Sequence, residues 1–457
     1  MKAPSTRRGF LQGSGAAVAA SLFVGFAPNA TLAASNASAD FNPFVRIGSD
    51  GRVAVIVKHV EMGQGPSTGL PTLVAEELGV EMDQVDYEFA PSNPALYNNL
   101  SYGPFQGTGG SSSMSNSFMQ YRTAGAAARE MLIRAAAESW GVSPESLALE
   151  RGRVTGAGRS APISALVAVA SGLGAPAKPK LKPISAFKLI GKEGVARLDS
   201  AIKSNGEAKF GMDLHLPGHM VVVIARAPSR GGLATGFNAS EARKVKGFIN
   251  AAVLPNKAGI AVYAENTWAA FKAREALQVR WDLSNAESRS SKDIREEIMT
   301  ALDAEPEFNI LASEPSGMSG AKTVLEKIFY FPLLAHAPME PLNCTIEATA
   351  DGGIRLHDGC QLPSGVHAAL AQVLRLPMEK IEINTLLTGG SFGRRATPNA
   401  DYQVEAALAF AMTDRSRPIK LVWSREDDLR GGFYRPAFGH KVRVGLDAAG
   451  KIVGWDH

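Results

Sequence analysis

Cysteine is almost missing: Cys344 and Cys360 are the only two in 457 residues. Two thiolates cannot hold an iron–sulfur cluster, which takes about four. No C-x-x-C pair marks a zinc or haem site. The two could pair in an oxidising compartment, but a fold of this size does not need the staple, and buried free thiols fit better. After the N-terminus no stretch stays apolar for the ~20 residues that a membrane-crossing helix requires. Charge of one sign is also lacking. The formal net charge is +4, which gives no footprint for nucleic acid or an acidic membrane. No internal repeat of fixed period is visible. What remains is the composition of a globular protein, 45% hydrophobic and 20% charged, long enough for roughly three domains of ~150 residues.

The N-terminus carries an address. Ser5-Thr6-Arg7-Arg8-Gly9-Phe10-Leu11 is a twin-arginine pattern, followed by an apolar, alanine-rich run from Ala16 to Ala27. Thr31-Leu32-Ala33 and Ala37-Ser38-Ala39 are both plausible cleavage sites. Such signals are read by a receptor and are not anchors. The expectation is a periplasmic protein exported already folded, with membrane association left open and residues 1–39 outside the fold.

Beyond the signal, hydrophobic periodicity divides the chain. Val53–Val57 reads as a buried strand delivering Glu61-Met62-Gly63-Gln64-Gly65 to a loop. A helix from Leu70 to Leu78 follows. Small residues from Gly107 to Ser117 open an alanine-rich helix to about Trp140. Ser143-Pro144 predicts a helix restart, as N-cap and first helical residue. The Pro/Lys-rich stretch 175–183 reads as a linker, which closes a first segment at 40–185. A second segment, 195–285, alternates strands and helices: Met220–Ala225, a helix near Ser240, Gly259–Tyr263, and Thr267–Leu277. A charged helix ends near Leu302. The third segment, 320–457, predicts a hairpin around Asp351-Gly352-Gly353, a helix to Leu374, strand Ile381–Leu387, helix Ala400–Met412, strand Ile419–Trp423 and a closing hairpin around Gly450.

The chemistry concentrates at Thr388-Gly389-Gly390-Ser391-Phe392-Gly393-Arg394-Arg395. Glycines let backbone N–H groups approach a ligand. Successive N–H groups make an anion-binding concavity. Arginine adds planar donors for phosphate. The bland alternative is a Gly-rich turn with a solvated arginine pair. Gln64 stands between two glycines, so its amide is expected to be exposed. Gln361 follows a predicted strand and precedes Leu362-Pro363, which leaves it at a strand end. Arg435 lies between aromatic neighbours and Pro436, where it could orient a flat substrate.

Together with His336-Ala337-Pro338-Met339-Glu340-Pro341-Leu342-Asn343-Cys344 and Ser424-Arg425-Glu426-Asp427-Asp428, these groups resemble the molybdopterin-binding large subunit of the xanthine dehydrogenase/aldehyde oxidase family. Segment 195–285, with Pro217-Gly218 and Ala264-Glu265-Asn266-Thr267-Trp268, resembles its α/β-hammerhead domain. In most of the family that domain comes first. Here E-M-G-Q-G precedes it, as in the isoquinoline 1-oxidoreductase type and related periplasmic aldehyde dehydrogenases. The resemblance covers nearly all of residues 40–457. It implies a mixed α+β fold, with molybdopterin-binding segments at 40–185 and 320–457 around an inserted hammerhead.

The resemblance also implies roles. Gln361 would face the metal's oxo group, and Gln64 and Gly65 would meet the pterin or its phosphates. Thr108, Gly109, Gly110, Ser111 and Ser112 would hold the phosphate and nucleotide end of the cofactor, in bacteria usually molybdopterin cytosine dinucleotide. Gly390, Ser391, Phe392, Gly393 and Arg394 would form a cofactor-contacting turn, with Phe392 walling the substrate channel. Ser391 departs from the commoner third glycine. Arg435 would orient substrate. No protein side chain would ligate the metal. The implied reaction oxidises an aldehyde or N-heteroaromatic ring with oxygen from water. Electrons would pass to a separate small [2Fe-2S] subunit and then to an acceptor such as a cytochrome c.

The family's general base is a glutamate in a G-x-G-E element near the C-terminus, and no glutamate follows Arg435 here. Glu340 at its matching position reads as structural. The expectation is therefore the first part of a longer subunit. The alternative is a truncated, non-catalytic cofactor-binding fragment. A secreted carbohydrate-binding or hydrolytic module would want paired carboxylates or aromatic platforms, and neither is arranged here.

Overall fold

The computed structural model describes residues 38–305, 307 and 316–457. The twin-arginine segment and the apolar run after it lie outside the described residues. The chain is mixed, with 32% helix and 26% strand. It forms two compact, discontinuous units. Among the described residues, the first takes in those up to Leu216, with Cys344–Gly390 and Pro398–Ala407; the second takes in those from Pro217 to Asn343, with Ser391–Thr397 and Leu408–His457.

The first unit opens with a four-stranded sheet of Ser38–Asn42, Val45–Gly48, Val53–Val57 and Val85–Phe89. The first three strands pair antiparallel, and Val53–Val57 pairs parallel with Val85–Phe89. A parallel pair needs a crossover, which helix Pro66–Leu78 supplies. Pro66 takes the first helical position, where its missing N–H costs nothing. This helix packs along the 28-residue helix Ser113–Trp140. A side chain at Gly125 would come within 2.7 Å of the Val74 carbonyl, so only glycine permits that approach.

This unit also holds the hairpin of Asn343–Ala348 and Ile354–Asp358, helix Pro363–Leu374, and strand Ile381–Thr385. That last strand pairs parallel with Ile354–Asp358. Both strands therefore release their carboxyl ends, 359–361 and 386–390, at the same edge.

The stretch 175–183 is strapped down. The Glu77 carboxylate, itself paired with Arg122 at 2.7 Å, accepts the Lys182 N–H. Further along, the Glu76 carboxylate accepts three successive N–H groups, from Lys188, Leu189 and Ile190. The chain division lies at Leu216/Pro217 instead.

The second unit holds strands Phe248–Val253, Gly259–Ala264, Met220–Arg226 and Ile419–Val422 in that order. The first three pair antiparallel, and Ile419–Val422 joins Met220–Arg226 in parallel. Helix Thr267–Glu275 starts at Asn266, whose side chain accepts the Ala269 N–H, and buries Ala269, Ala270 and Ala273. A separate three-stranded sheet is built from Thr323–Phe331, Phe438–Leu446 and Ile452–Asp456. Two expected helices shrink to single turns. Pro144–Ser146 is cut short by the strand Ala148–Glu150, and Ala242–Lys244 by Gly247 and the strand Phe248–Val253.

Candidate functional site

In the first unit four loops, far apart in sequence, converge. Gln361 and Thr108 exchange two hydrogen bonds. The Thr108 N–H donates to the Gln361 carbonyl at 2.8 Å, and Gln361 Nε2 donates to the Thr108 carbonyl at 2.9 Å. The Thr108 hydroxyl accepts the Val60 N–H at 3.1 Å, tying in the loop after Val53–Val57. The Thr388 N–H donates to the Glu61 carbonyl at 3.1 Å, tying in the Gly-rich turn. Thr388 also sits against Gly359 so closely that a side chain there would collide with its hydroxyl. Each loop leaves the carboxyl end of a parallel-paired strand or lies beside one, which is where open α/β sheets bind ligands.

The small-residue loop ends as the start of helix Ser113–Trp140. Gly110 and Ser111 both take left-handed backbone, with φ 60° and 55°, while Ser112 returns to the right-handed region. Asn99 holds the turn by donating to Ser112 Oγ and to the Gly107 carbonyl. The helix begins with no side-chain cap and no acidic residue in its first turn. The first N–H groups of a helix have no intrahelical partner, and the helix dipole favours an anion there. Gly110 and Ser111 are exposed at this end. The residues present therefore fit a phosphate or pyrophosphate group.

The surrounding side chains are mostly structural. Gln64 is exposed, but both its polar ends close its own loop. Oε1 accepts the Met62 N–H at 2.9 Å, and Nε2 donates to the Val60 carbonyl at 2.9 Å. Glu61 is fully buried and accepts the N–H groups of Gly63 and Gly65 and the Ser67 hydroxyl. Burial pushes the Glu61 carboxyl up, but the Ser67 hydroxyl, the backbone N–H groups and Lys203 outweigh it, so it stays below its ordinary value. His59 lies buried between Thr108 Oγ1 and Ser117 Oγ, each at 3.2 Å. Burial, assisted by the charge of Lys58, pushes its pKa down to about 3, so it is neutral. Burial likewise brings Lys58 down to about 7. Among the described residues no three His, Cys, Asp or Glu side chains gather to ligate a metal.

In the second unit the turn Ser391–Thr397 places its arginines differently from the phosphate-binding expectation. Arg394 and Arg395 are almost completely buried. Arg395 Nη2 meets Glu340 Oε2 at 3.1 Å and the Glu340 carbonyl at 3.2 Å. The Arg394 guanidinium lies over the Trp423 ring, 5.2 Å from its centroid, with Asp428 at 3.9 Å. A buried, hydrogen-bonded cation near a carboxylate serves the fold first. Ser391 is also buried, its hydroxyl accepting the Arg395 N–H at 3.0 Å. Phe392 is the opposite case. It is 74% exposed and holds φ at 56°, uncommon for a bulky residue, with Gly393 at φ 96°. Arg435 is exposed on the short strand Tyr434–Arg435, which pairs with Leu334–Ala335.

Residues 2–198 and 306–457 each match a family described as molybdopterin cofactor-binding domain. The chain is 30% identical to the isoquinoline 1-oxidoreductase subunit beta of Brevundimonas diminuta, over 96% of this chain and 62% of that protein. The chain belongs to the xanthine dehydrogenase/aldehyde oxidase family. A second relative in the comparison is the membrane-bound aldehyde dehydrogenase (pyrroloquinoline-quinone) of Gluconacetobacter polyoxogenes, 29% identical over 90% of this chain and 54% of that protein. The chain thus spans about half to three-fifths of the length of these two curated relatives. Among solved structures, quinoline 2-oxidoreductase from Pseudomonas putida 86 aligns with a TM-score of 0.44 and 17% identity, over 57% of this chain and 38% of that one. Against the family's expected roles, the fold brings Gln361, Thr108–Ser112 and the Gln64 loop together in one unit. Ser391, Phe392, Gly393, Arg394 and Arg435 belong to the other. Sequence reasoning assigned no role to His59, Glu61, Arg197 or Asp199. The only sequence signal for Glu61 was its place at the head of E-M-G-Q-G.

Proposed function

We propose that this chain is the molybdopterin-binding part of a molybdenum hydroxylase that oxidises an aldehyde or N-heteroaromatic substrate. The observation that carries the reading is the convergence of four loops beside an uncapped, acid-free helix start. The N–H groups of Ser113, Met114 and Ser115, which open the helix, would receive the phosphates of the cofactor, in its cytosine dinucleotide form. The 61–65 loop would hold its pterin end, and Gln361, hydrogen-bonded to Thr108, would face the metal's oxo group. Bound molybdopterin supplies the soft sulfur ligands for molybdenum and the oxidation chemistry itself. The chain's own residues orient it, exclude water through the buried Gln361–Thr108 pair, and keep His59 neutral behind the loop. Phe392 and Arg435 would contact substrate.

Electrons would leave through a separate [2Fe-2S] subunit toward an acceptor such as a cytochrome c. We read residues 195–285 as a hammerhead domain and the N-terminus as a twin-arginine signal for export to the periplasm. Elemental and nucleotide analysis of the full-length protein, purified with its partner subunit, tests the reading. About one molybdenum per chain with release of CMP supports it. No molybdenum, or a quinone cofactor in its place, overturns it.

A further inference from the structure

The Glu61–Gly65 loop is held from outside. The Glu61 carboxylate is buried, and two cations reach it from far along the chain: Arg197, 136 residues later, and Lys203, 142 residues later. Arg197 divides its guanidinium between two jobs. Nη1 donates to the Gly63 carbonyl at 2.9 Å, and Nη2 to Glu61 Oε1 at 3.1 Å. Nε and Nη2 also grip both oxygens of Asp199, at 2.9 and 2.8 Å. Asp199 is itself buried, held by Lys203 at 2.5 Å and the Ser67 hydroxyl at 3.3 Å. Ser67, at the start of helix Pro66–Leu78, donates to Glu61 as well. The two carboxylates and two cations cancel, so the cluster is not an anion site.

An Arg–carboxylate fork fixes direction as well as distance. Asp199 therefore aims the edge of Arg197 at the loop, and Arg197 sets where Gly63 and Glu61 stand. The hydrogen bonds internal to the loop, from Gly63 and Gly65 to Glu61, then depend on a carboxylate that Arg197 holds in place. We propose that Arg197 and Asp199 are positioning residues that latch the Glu61–Gly65 loop in its cofactor-receiving shape from the segment 197–203. The proposal rests on the reading of that loop as one wall of the cofactor site.

Hydrogen exchange of the full-length protein reads the latch directly, with or without cofactor. In Arg197→Gln, amides of 61–67 should exchange about tenfold faster or more, because charge-assisted hydrogen bonds are lost. Amides of helix Ser113–Trp140 should be unchanged. Arg197→Lys should recover part of the protection, since an ammonium can meet Asp199 or Gly63 but lacks the fork. In molybdenum-bearing protein the same order should appear in the rate of pterin release, fastest for Arg197→Gln. Unchanged exchange at 61–67, or a uniform increase that includes the 113–140 helix, would overturn the latch. So would faster loop exchange with pterin release at the wild-type rate. If wild-type protein holds no molybdenum, the cofactor reading fails, and the exchange result still decides the latch.

Discussion

Removing Arg395 should destabilise the second unit rather than empty a cofactor site. Its guanidinium is 1% exposed and Glu340 is 8% exposed, with 3.1 Å between Nη2 and Oε2. Glu340 Oε1 accepts Asn343 Nδ2 at 3.0 Å, so the carboxylate is held on both sides. Taking one partner from a buried pair strands the other charge and costs roughly 3–5 kcal/mol. Against a total stability of ~5–15 kcal/mol, that is a large share. With a urea slope of ~2 kcal/mol/M, Arg395→Met should lower the unfolding midpoint by about 1.5–2.5 M. Replacing both partners with apolar residues, Arg395→Met with Glu340→Leu, should restore most of it. Tryptophan fluorescence suits the assay, because Trp268, Trp281, Trp423 and Trp455 lie in the second unit and only Trp140 in the first. A loss under ~1 kcal/mol in Arg395→Met, together with loss of bound cofactor, would refute the structural role and return the arginine to phosphate binding.

Four further outcomes follow from the same contacts. His59 titrates near 3 when folded against an ordinary value of 6.5, so the unfolded chain binds the extra proton between those values. Stability should therefore fall as pH drops from about 6.5 toward 3, by up to ~4–5 kcal/mol, in pH-dependent unfolding; His59→Gln should flatten that slope. Lys58 works at the other end: its folded value of about 7 against 10.5 makes stability rise with pH across that window, which Lys58→Met should abolish. Gln361→Ala deletes the buried bond to Thr108 and should cost ~1–2 kcal/mol while lowering turnover more than molybdenum content; equal loss of both would reassign Gln361 to cofactor retention. Phe392→Gly should raise the thermal midpoint by relieving backbone strain of ~1 kcal/mol or more, yet raise KM; an unchanged KM would remove Phe392 from the substrate path.

Local pattern carried most elements. Alternation and apolar runs marked Val53–Val57, the 343–358 hairpin and the strand Ile419–Val422, and alanine spacing marked the long helix. The convergence of Gln361 with Thr108 was legible only through the family resemblance, because the two are 253 residues apart. Long-range charge pairing was not legible at all. Nothing near Arg395 points to Glu340, 55 positions away, and nothing near Glu61 points to Arg197. An exposed arginine pair and a buried one look alike in sequence, since burial depends on partners supplied by other segments. The 175–190 strap was missed for the same reason: proline and lysine predict a linker, and Glu76 and Glu77 on a distant helix pin that irregular segment to the unit.

The cofactor site itself can be tested with one carboxylate. Ser113 is the first residue of helix Ser113–Trp140, whose opening turn has no acid. In the protein without cofactor, Ser113→Asp complements the helix dipole and should leave stability unchanged or raise it by ~0.3–1 kcal/mol. At the same place it would repel a phosphate. The account predicts that molybdenum and nucleotide content fall sharply in Ser113→Asp while the apo-protein is at least as stable as wild type. Wild-type cofactor content in that variant would contradict the site.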